Sequence, residues 1–517
     1  MTEMPYLCWA TLHTSIGVNS YSKHTKHIYE AERRVQQAKE KMDSTYRLAY
    51  HIMAPINWMN DPNGLIQWNG EYHVFYQFHP DSPKWGPMHW GHVKSKDLVH
   101  WERAPIALAP SEWYDEGGCF SGSAVNDQGV LTLIYTGNVW LNKEQTELKQ
   151  YQCIATSKDG IHFEKDPNNP VLSEPPFDCQ GHIRDPKVWK RGDDWYMVLG
   201  TREGNNGKVV LYKSNDLRHW EYVNIIAQSD GSLGYMWECP DVFRLNGKDI
   251  LLFSPQGIEP DGDRFQNLHQ TGYVVGTLDY ETGKLAHGTF EELDKGFDFY
   301  AAQTFEDEKG RRILFGWMDM WESQMPTQQH GWAGALTIPR LLELTDDEKL
   351  LMKPVPELQL LRQEHMHLES ISVKEEGGTY TLPWKGDRLE LLVRFSVADF
   401  QGNAFGVKVR CAEDGSEETI FRYDVKDSIV TFDRNRSGKG EGGIRRGVLD
   451  RQGDVVTFHF FIDRSSVELF VNDGRLVMTG RIYPSETSQG IELFAEGGDV
   501  TVLSIDEWTL KDIWSEK

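Results

Sequence analysis

The 517-residue chain is poor in cysteine, in cationic side chains and in long apolar runs. Its six cysteines (Cys8, Cys119, Cys153, Cys179, Cys239 and Cys411) are scattered, and no pair has the two-residue spacing of a zinc site. They read as free, reduced thiols, and no structural metal is expected. No window holds the roughly 18 consecutive apolar residues of a membrane-spanning helix. Met1 to Ser20 also lacks the basic and apolar stretches of a secretory leader. Both absences predict a cytoplasmic protein without membrane contact. With 54 Lys+Arg against 78 Asp+Glu, the net charge of -24 repels phosphate backbones and anionic headgroups, so nucleic acid is not an expected partner. Helical periodicity is scarce too. Only Lys26 to Met42 spaces apolar residues by three and four, at Ile28, Ala31, Val35, Ala38 and Met42.

What remains is rich in strands. Hydrophobic residues make up 39% and aromatics 12%, enough for large cores, and the length predicts two to four domains. Apolar runs marked by Val74, Leu133, Met197, Leu251 and Leu314 recur about every 60 residues, each ending in a turn. A second element recurs with them, Ser-x-Asp-x-x-His-aromatic-Glu, at Ser95, Ser157 and Ser214. Three equivalent copies point to a turn that seals each unit, not to catalysis by His100, His162 or His219. A repeat of this length cannot bury its own apolar face, so five copies predict a five-bladed β-propeller. After Pro339 the pattern changes. Leu389, Leu391, Val393, Phe395 and Val397 alternate with mostly polar neighbours, as do Phe405 to Cys411 and Val467 to Val471, which predicts an antiparallel β-sandwich. The expected organisation is all-β: an N-terminal extension with the amphipathic helix over 1–47, the propeller over 48–345, a linker over 346–372 and the sandwich over 373–517.

Three acids occupy short, turn-rich contexts next to proline or one residue from it: Asp61 in Trp58-Met-Asn-Asp-Pro-Asn-Gly64, Asp185 in Ile183-Arg-Asp-Pro186 and Glu238 in Trp237-Glu-Cys-Pro240. Proline fixes the adjacent backbone and with it the carboxylate direction. For any one of them a structural turn is the simpler explanation. Together they come from successive or nearly successive blades, whose ends converge on one axial funnel. Converging carboxylates repel one another unless a cationic transition state or a metal is served, and the acids lie too far apart for a compact calcium loop. Trp58, Trp68, Trp85, Trp90, Phe120 and Trp237 offer flat faces for sugar rings, while Asn60, Gln77, Ser121 and Arg184 match hydroxyl groups.

The segments Trp58 to Gly64, Trp85-Gly-Pro-Met-His-Trp-Gly91, Phe120-Ser-Gly-Ser123, Arg184-Asp-Pro186 and Glu238-Cys-Pro240 resemble, in order and spacing, glycoside hydrolase family 32, the invertases and fructan hydrolases. The similarity runs densely over 48 to 345 and continues through Phe461 to Phe470. Ile183 departs from the aromatic common before Arg-Asp-Pro, and Leu341 from the acid that often follows Pro-Arg. The resemblance implies a five-bladed propeller joined to a sandwich, and the residues themselves lead to the expectation of no cofactor and no metal. It implies Asp61 as nucleophile, Glu238 as general acid/base and Asp185 as transition-state stabiliser. Asn60, Gln77, Trp85, Phe120, Ser121, Arg184, Tyr300 and Trp317 match the family's sugar-contact positions.

The implied reaction is retaining hydrolysis of the fructosyl bond in sucrose, sucrose-6-phosphate or fructo-oligosaccharides by a monomer or homodimer. Retention asks for carboxyls roughly 5 to 5.5 Å apart, and an acid whose pKa is raised towards roughly 6. Arg184 is expected to keep its chain neighbour Asp185 ionised. Three alternatives remain: an exo-acting fructan hydrolase, an inverting propeller glycosidase and a non-catalytic sugar-binding protein. Phosphate recognition needs a cation beside the glucose pocket, for which Lys84, Arg202 and Lys208 are candidates.

Overall fold

The computed structural model describes residues 21–376 and 378–515, so Cys8 lies outside the described residues. Five sheets of four or five strands are followed by two sheets of six. The sequence markers Val74, Leu133, Met197, Leu251 and Leu314 all lie on the second strand of a blade, within Glu71–His79, Val130–Trp140, Asp194–Glu203, Lys248–Gln256 and Arg312–Trp317. Each marker is fully buried, which contributes about 1.5 to 3 kcal/mol per side chain. The repeat is therefore a packing repeat. Innermost strands Asn57–Trp68, Gly118–Asp127, Ile183–Arg191, Met236–Leu245 and Tyr300–Glu306 touch in succession, and the last touches the first. The short strand Trp332–Ala333 stitches this ring shut by pairing in parallel with Asn57–Trp68.

The Ser-x-Asp element is a turn after the third strand of a blade. In its copies the aspartate binds the backbone N–H and the Nδ1 of the histidine three residues on, at Nδ1 distances of 2.8, 2.7 and 2.6 Å. Trp101 and Phe163 are buried behind it as plugs, while Trp220 is half-buried. The scaffold reading of these histidines holds.

The helix runs over Lys23–Lys39 and ends before Met42, with Ser22 capping the Thr25 N–H. It lies along Glu102–Leu108, the outer strand of the first blade. There Glu32 accepts the Ile106 N–H (2.6 Å) and His24 accepts the Ala109 N–H (3.1 Å). The helix thus closes an otherwise open sheet edge.

Residues 346–372 are not a plain connector. Leu350–Pro354 completes the fifth blade because Leu350, Leu351 and Met352 are buried, and Arg362–Val373 opens the sandwich. Only the 3-10 turn Pro356–Leu361 separates the two sheets. In the sandwich the alternating Leu389 to Phe395 set faces the core, as the pattern requires.

The segment Phe461 to Phe470 joins the sandwich to the propeller. Asp463 binds the Nδ1 of His51 (2.8 Å), and Glu468 binds its Nε2 (2.7 Å). Glu468 also receives Arg340, which bonds in turn to Asp294 and Thr479. All these side chains are buried. Burial opposes charge on His51, yet the two carboxylates outweigh it and hold its pKa at about 9.

Candidate active site

Every blade carries the same irregularity in its innermost strand: two residues face one residue of the second strand. The pairs are Asn60-Asp61, Phe120-Ser121, Asp185-Pro186, Cys239-Pro240 and Ala301-Ala302. A β-bulge of this kind bends the strand and re-aims a side chain. Asp61, Ser121 and Asp185 lie in these bulges, and Arg184, Glu238 and Tyr300 directly before them. Proline at 62, 186 and 240 fits because a bulge leaves a ladder N–H unused. Asp185, Cys239 and Ala301 adopt left-handed backbone at φ 64, 49 and 55. In the second blade Gly122 is required, since a Cβ there would lie 1.9 Å from the Ile134 carbonyl oxygen.

The bulges bring the acids into one cavity of about 250 Å³, lined by Asn60, Asp61, Gln77, Trp85, Phe120, Ser121, Arg184, Asp185 and Glu238 together with Trp140, Leu148, Gln150, His182 and Trp321. Asp61 accepts from Ser121 Oγ (2.6 Å) and Asn60 Nδ2 (3.1 Å). A relay supports this pair: Gln77 donates to Asn63, Asn63 to the Ser121 hydroxyl, and Trp58 Nε1 to the Asn60 oxygen. Asp185 accepts the Cys239 N–H (2.9 Å), and its own N–H is held by Thr136. The Cys239 thiol lies between Asp61 Oδ2 (3.5 Å) and Asp185 Oδ2 (3.7 Å), which ties the first, third and fourth blades together.

Arg184 reaches across to Glu238 and not to Asp185. Its Nη2 and Nε lie 2.7 and 3.0 Å from Glu238 Oε1, and the Tyr300 hydroxyl donates to Oε2. This arrangement corrects the expected proton balance. Burial alone would raise Glu238, but Arg184 and Tyr300 outweigh it and hold its carboxyl below the ordinary range. Asp185 is instead pushed up, by burial and by the charge of Glu238, against the pull of Arg184. Asp61 rises to about 6 through burial and Glu238, against its hydrogen bonds from Ser121 and Asn60. One cation thus serves three carboxyls, and its contact with Glu238 favours charge there over charge on the two aspartates.

The aromatic expectations divide. Trp85 and Phe120 face the cavity at a ring separation of 6.0 Å. Trp68 and Trp90 belong to the core beneath the first two blades, and Trp237 packs on Phe253 in the core of the third and fourth. Trp58 and Trp317 sit behind Trp321, at 5.8 and 5.0 Å, and Trp317 is fully buried, so it backs the cavity without lining it. Sequence reasoning missed Trp140, Trp321, Gln150, His182, Asn63 and Cys239. Only the last two lay within a quoted motif.

Beyond Leu148, Gln150 and His182 the cavity continues into an outer one of about 610 Å³, to which Lys149, Glu174, Gln180 and Arg202 contribute. Among the cations named for phosphate, Lys84 lines neither cavity. Lys208 is bound to Glu203. Arg202 lines the outer cavity with its guanidinium on the Gln180 amide, and no carboxylate partners it among the described residues.

Residues 51–354 match the Glycosyl hydrolases family 32 N-terminal domain, and 357–509 match Glycosyl hydrolases family 32 C terminal. A sucrose-6-phosphate hydrolase of Zymomonas mobilis is 42% identical over 504 residues, covering 94% of this chain and 97% of that protein. A raffinose invertase of Escherichia coli is 41% identical, covering 92% and 98%. The solved GH32 beta-fructofuranosidase of Bombyx mori superposes with a TM-score of 0.83 at 37% identity, covering 95% of this chain and 99% of that one. Propeller, sandwich and sequence agree, and the chain belongs to glycosyl hydrolases family 32.

Proposed function

We propose that the protein is a retaining β-fructofuranosidase that hydrolyses the fructosyl bond of sucrose and sucrose-6-phosphate. The observation that carries this reading is the convergence of Asp61, Asp185 and Glu238 on one aromatic-walled cavity that holds a single guanidinium. Such a cavity is poor at holding anions and suited to a centre that becomes cationic.

In the proposed reaction an Asp61 oxygen attacks the anomeric carbon while the bond to the leaving glucose breaks. Glu238 gives its proton to the departing oxygen, and an ester between Asp61 and the fructosyl group forms. Glu238 then removes a proton from water, whose oxygen attacks the same carbon and returns Asp61 to its carboxylate. Retention requires the two carboxyls to work across one carbon, roughly 5 to 5.5 Å apart. Asp185, on the backbone N–H of Cys239, holds fructosyl hydroxyls and stabilises the oxocarbenium-like charge. Asn60 and Ser121 orient Asp61, Gln77 supports them, and Trp85 and Phe120 form the wall against the ring. Tyr300 and Arg184 govern where Glu238 keeps its proton, while Trp317 stiffens the floor.

Glu238 lies beside Arg184 and His182, so the leaving group points to the outer cavity. Arg202 is the candidate for a 6-phosphate there, being the cation in that cavity without a carboxylate partner. The volume of the outer cavity favours fructo-oligosaccharides as a second reading. The five cysteines among the described residues are free and buried, which supports a reducing compartment and hence the cytoplasm. Polarimetry of the first-formed fructose tests the mechanism: the β-anomer is expected, and the α-anomer would instead indicate an inverting enzyme.

A further inference from the structure

We propose that His365, His367 and Asp506 on the outer face of the sandwich form a site for a divalent transition metal of the zinc class. The site lies on Arg362–Val373, an edge strand paired antiparallel with Val500–Leu510. Being two apart, His365 and His367 share one face of their strand, and Asp506 stands directly opposite His367 in register. His365 Nε2 lies 3.0 Å and His367 Nδ1 2.7 Å from the same oxygen, Asp506 Oδ1. The three ligand atoms all lie within 4.8 Å of one another. Zinc at about 2.0 to 2.2 Å from each would need them spread by a few tenths of an ångström, which half-exposed side chains can supply.

Two further features favour a metal over a mere surface hydrogen-bond cluster. The other nitrogen of His367, Nε2, is 2.9 Å from Glu369 Oε1, the carboxylate–histidine pairing that orients metal ligands. The ring of His365 is stacked on Trp508 at 4.7 Å and 7°, so its direction is largely fixed before any ion arrives. Two cations stand nearby. Arg362 is neutralised by Glu390, and Arg394 lies 3.5 Å from the other oxygen of Asp506, which leaves Oδ1 for the metal. Both histidines retain exposed surface, so water can complete the coordination. No cysteine pair or compact acidic loop announces such a site in the sequence, because the acid follows His367 by 139 residues. A bound ion would clamp the edge strand to its neighbour just where the chain enters the sandwich.

The test uses the full chain, free of any affinity tag and stripped with EDTA, titrated with zinc against a chromophoric chelator. One equivalent is expected to bind, with a rise in Tm. His367→Ala and Asp506→Asn should each weaken binding at least tenfold, and Glu369→Gln about tenfold. Sucrose hydrolysis should be unchanged in all three. Cobalt binding should give a visible spectrum that His365→Gln alters. Absence of tight zinc binding, or binding that survives both His367→Ala and Asp506→Asn, would overturn the site without touching the hydrolase reading.

Discussion

Arg184 is paired with Glu238 of the next blade, 2.7 Å from Nη2 to Oε1, and not with Asp185, its neighbour in the chain. This pairing favours the ionised form of the group that must donate a proton. The competent form, with Asp61 charged and Glu238 protonated, is therefore a minor state of the free site. The limbs of the pH profile belong to the three carboxyls as a set. The kcat/KM for sucrose should fall below about pH 6 as Asp61 takes up a proton, and fall again as the last cavity proton leaves.

Tyr300→Phe removes a donor that stabilises charged Glu238, so the proton should be held more tightly. The alkaline limb of kcat/KM should move up by about half to one pH unit. An alkaline limb at the wild-type position would show that this hydroxyl does not act on the Glu238 proton.

Asp61→Asn should lower turnover by about 10⁴-fold or more while sugar binding persists. It should also raise Tm. A carboxyl whose folded pKa is raised from 3.8 to about 6 costs stability progressively as pH climbs between those values, and the amide removes that cost at pH 7.5. Calorimetry showing a lower Tm would mean that Asp61 is not strained by its surroundings.

How much of this was open to sequence reasoning follows from the range of the signals. The five apolar runs were legible because burial leaves a mark on every blade, and the acids because proline beside them marks a bulge. The destination of Arg184 was not legible, since its partner is 54 residues away and a bulge decides which way it turns. Nor could composition separate Trp85, on the loop before His89–Ser95 and open to the cavity, from Trp68 and Trp90, which lie on strands and are buried in the core. Gln150 and His182 sit outside any motif and reach the cavity only through the packing of the second blade on the third. The strand Leu350–Pro354 was hidden by its terminal Pro354, which is tolerated at a sheet edge, and by Pro356 just beyond it.

His51 supplies a second pH dependence, now of stability. Its folded pKa is raised from 6.5 to about 9, so its contribution is complete below about pH 6.5 and is lost as pH rises through about 9. The change corresponds to about 3 kcal/mol. Urea midpoints should fall between pH 7 and 9.5 in the wild type, and His51→Gln should be less stable at pH 7 with a flatter profile. Parallel curves would place the pH dependence elsewhere.

Arg202→Leu should reduce kcat/KM for sucrose-6-phosphate about tenfold or more, the worth of a charge-assisted contact, and leave sucrose within about twofold. Equal losses on both substrates would assign Arg202 to the architecture of the cavity and not to phosphate.

The most direct measurement is mass spectrometry of Glu238→Gln incubated with β-fructofuranosyl fluoride, whose leaving group needs no acid. Without a base to activate water, the covalent intermediate should accumulate, and peptide mapping should find one fructosyl residue esterified to Asp61. An adduct on Asp185 or another residue, or fluoride release with no adduct at all, would contradict the assignment of Asp61 as nucleophile.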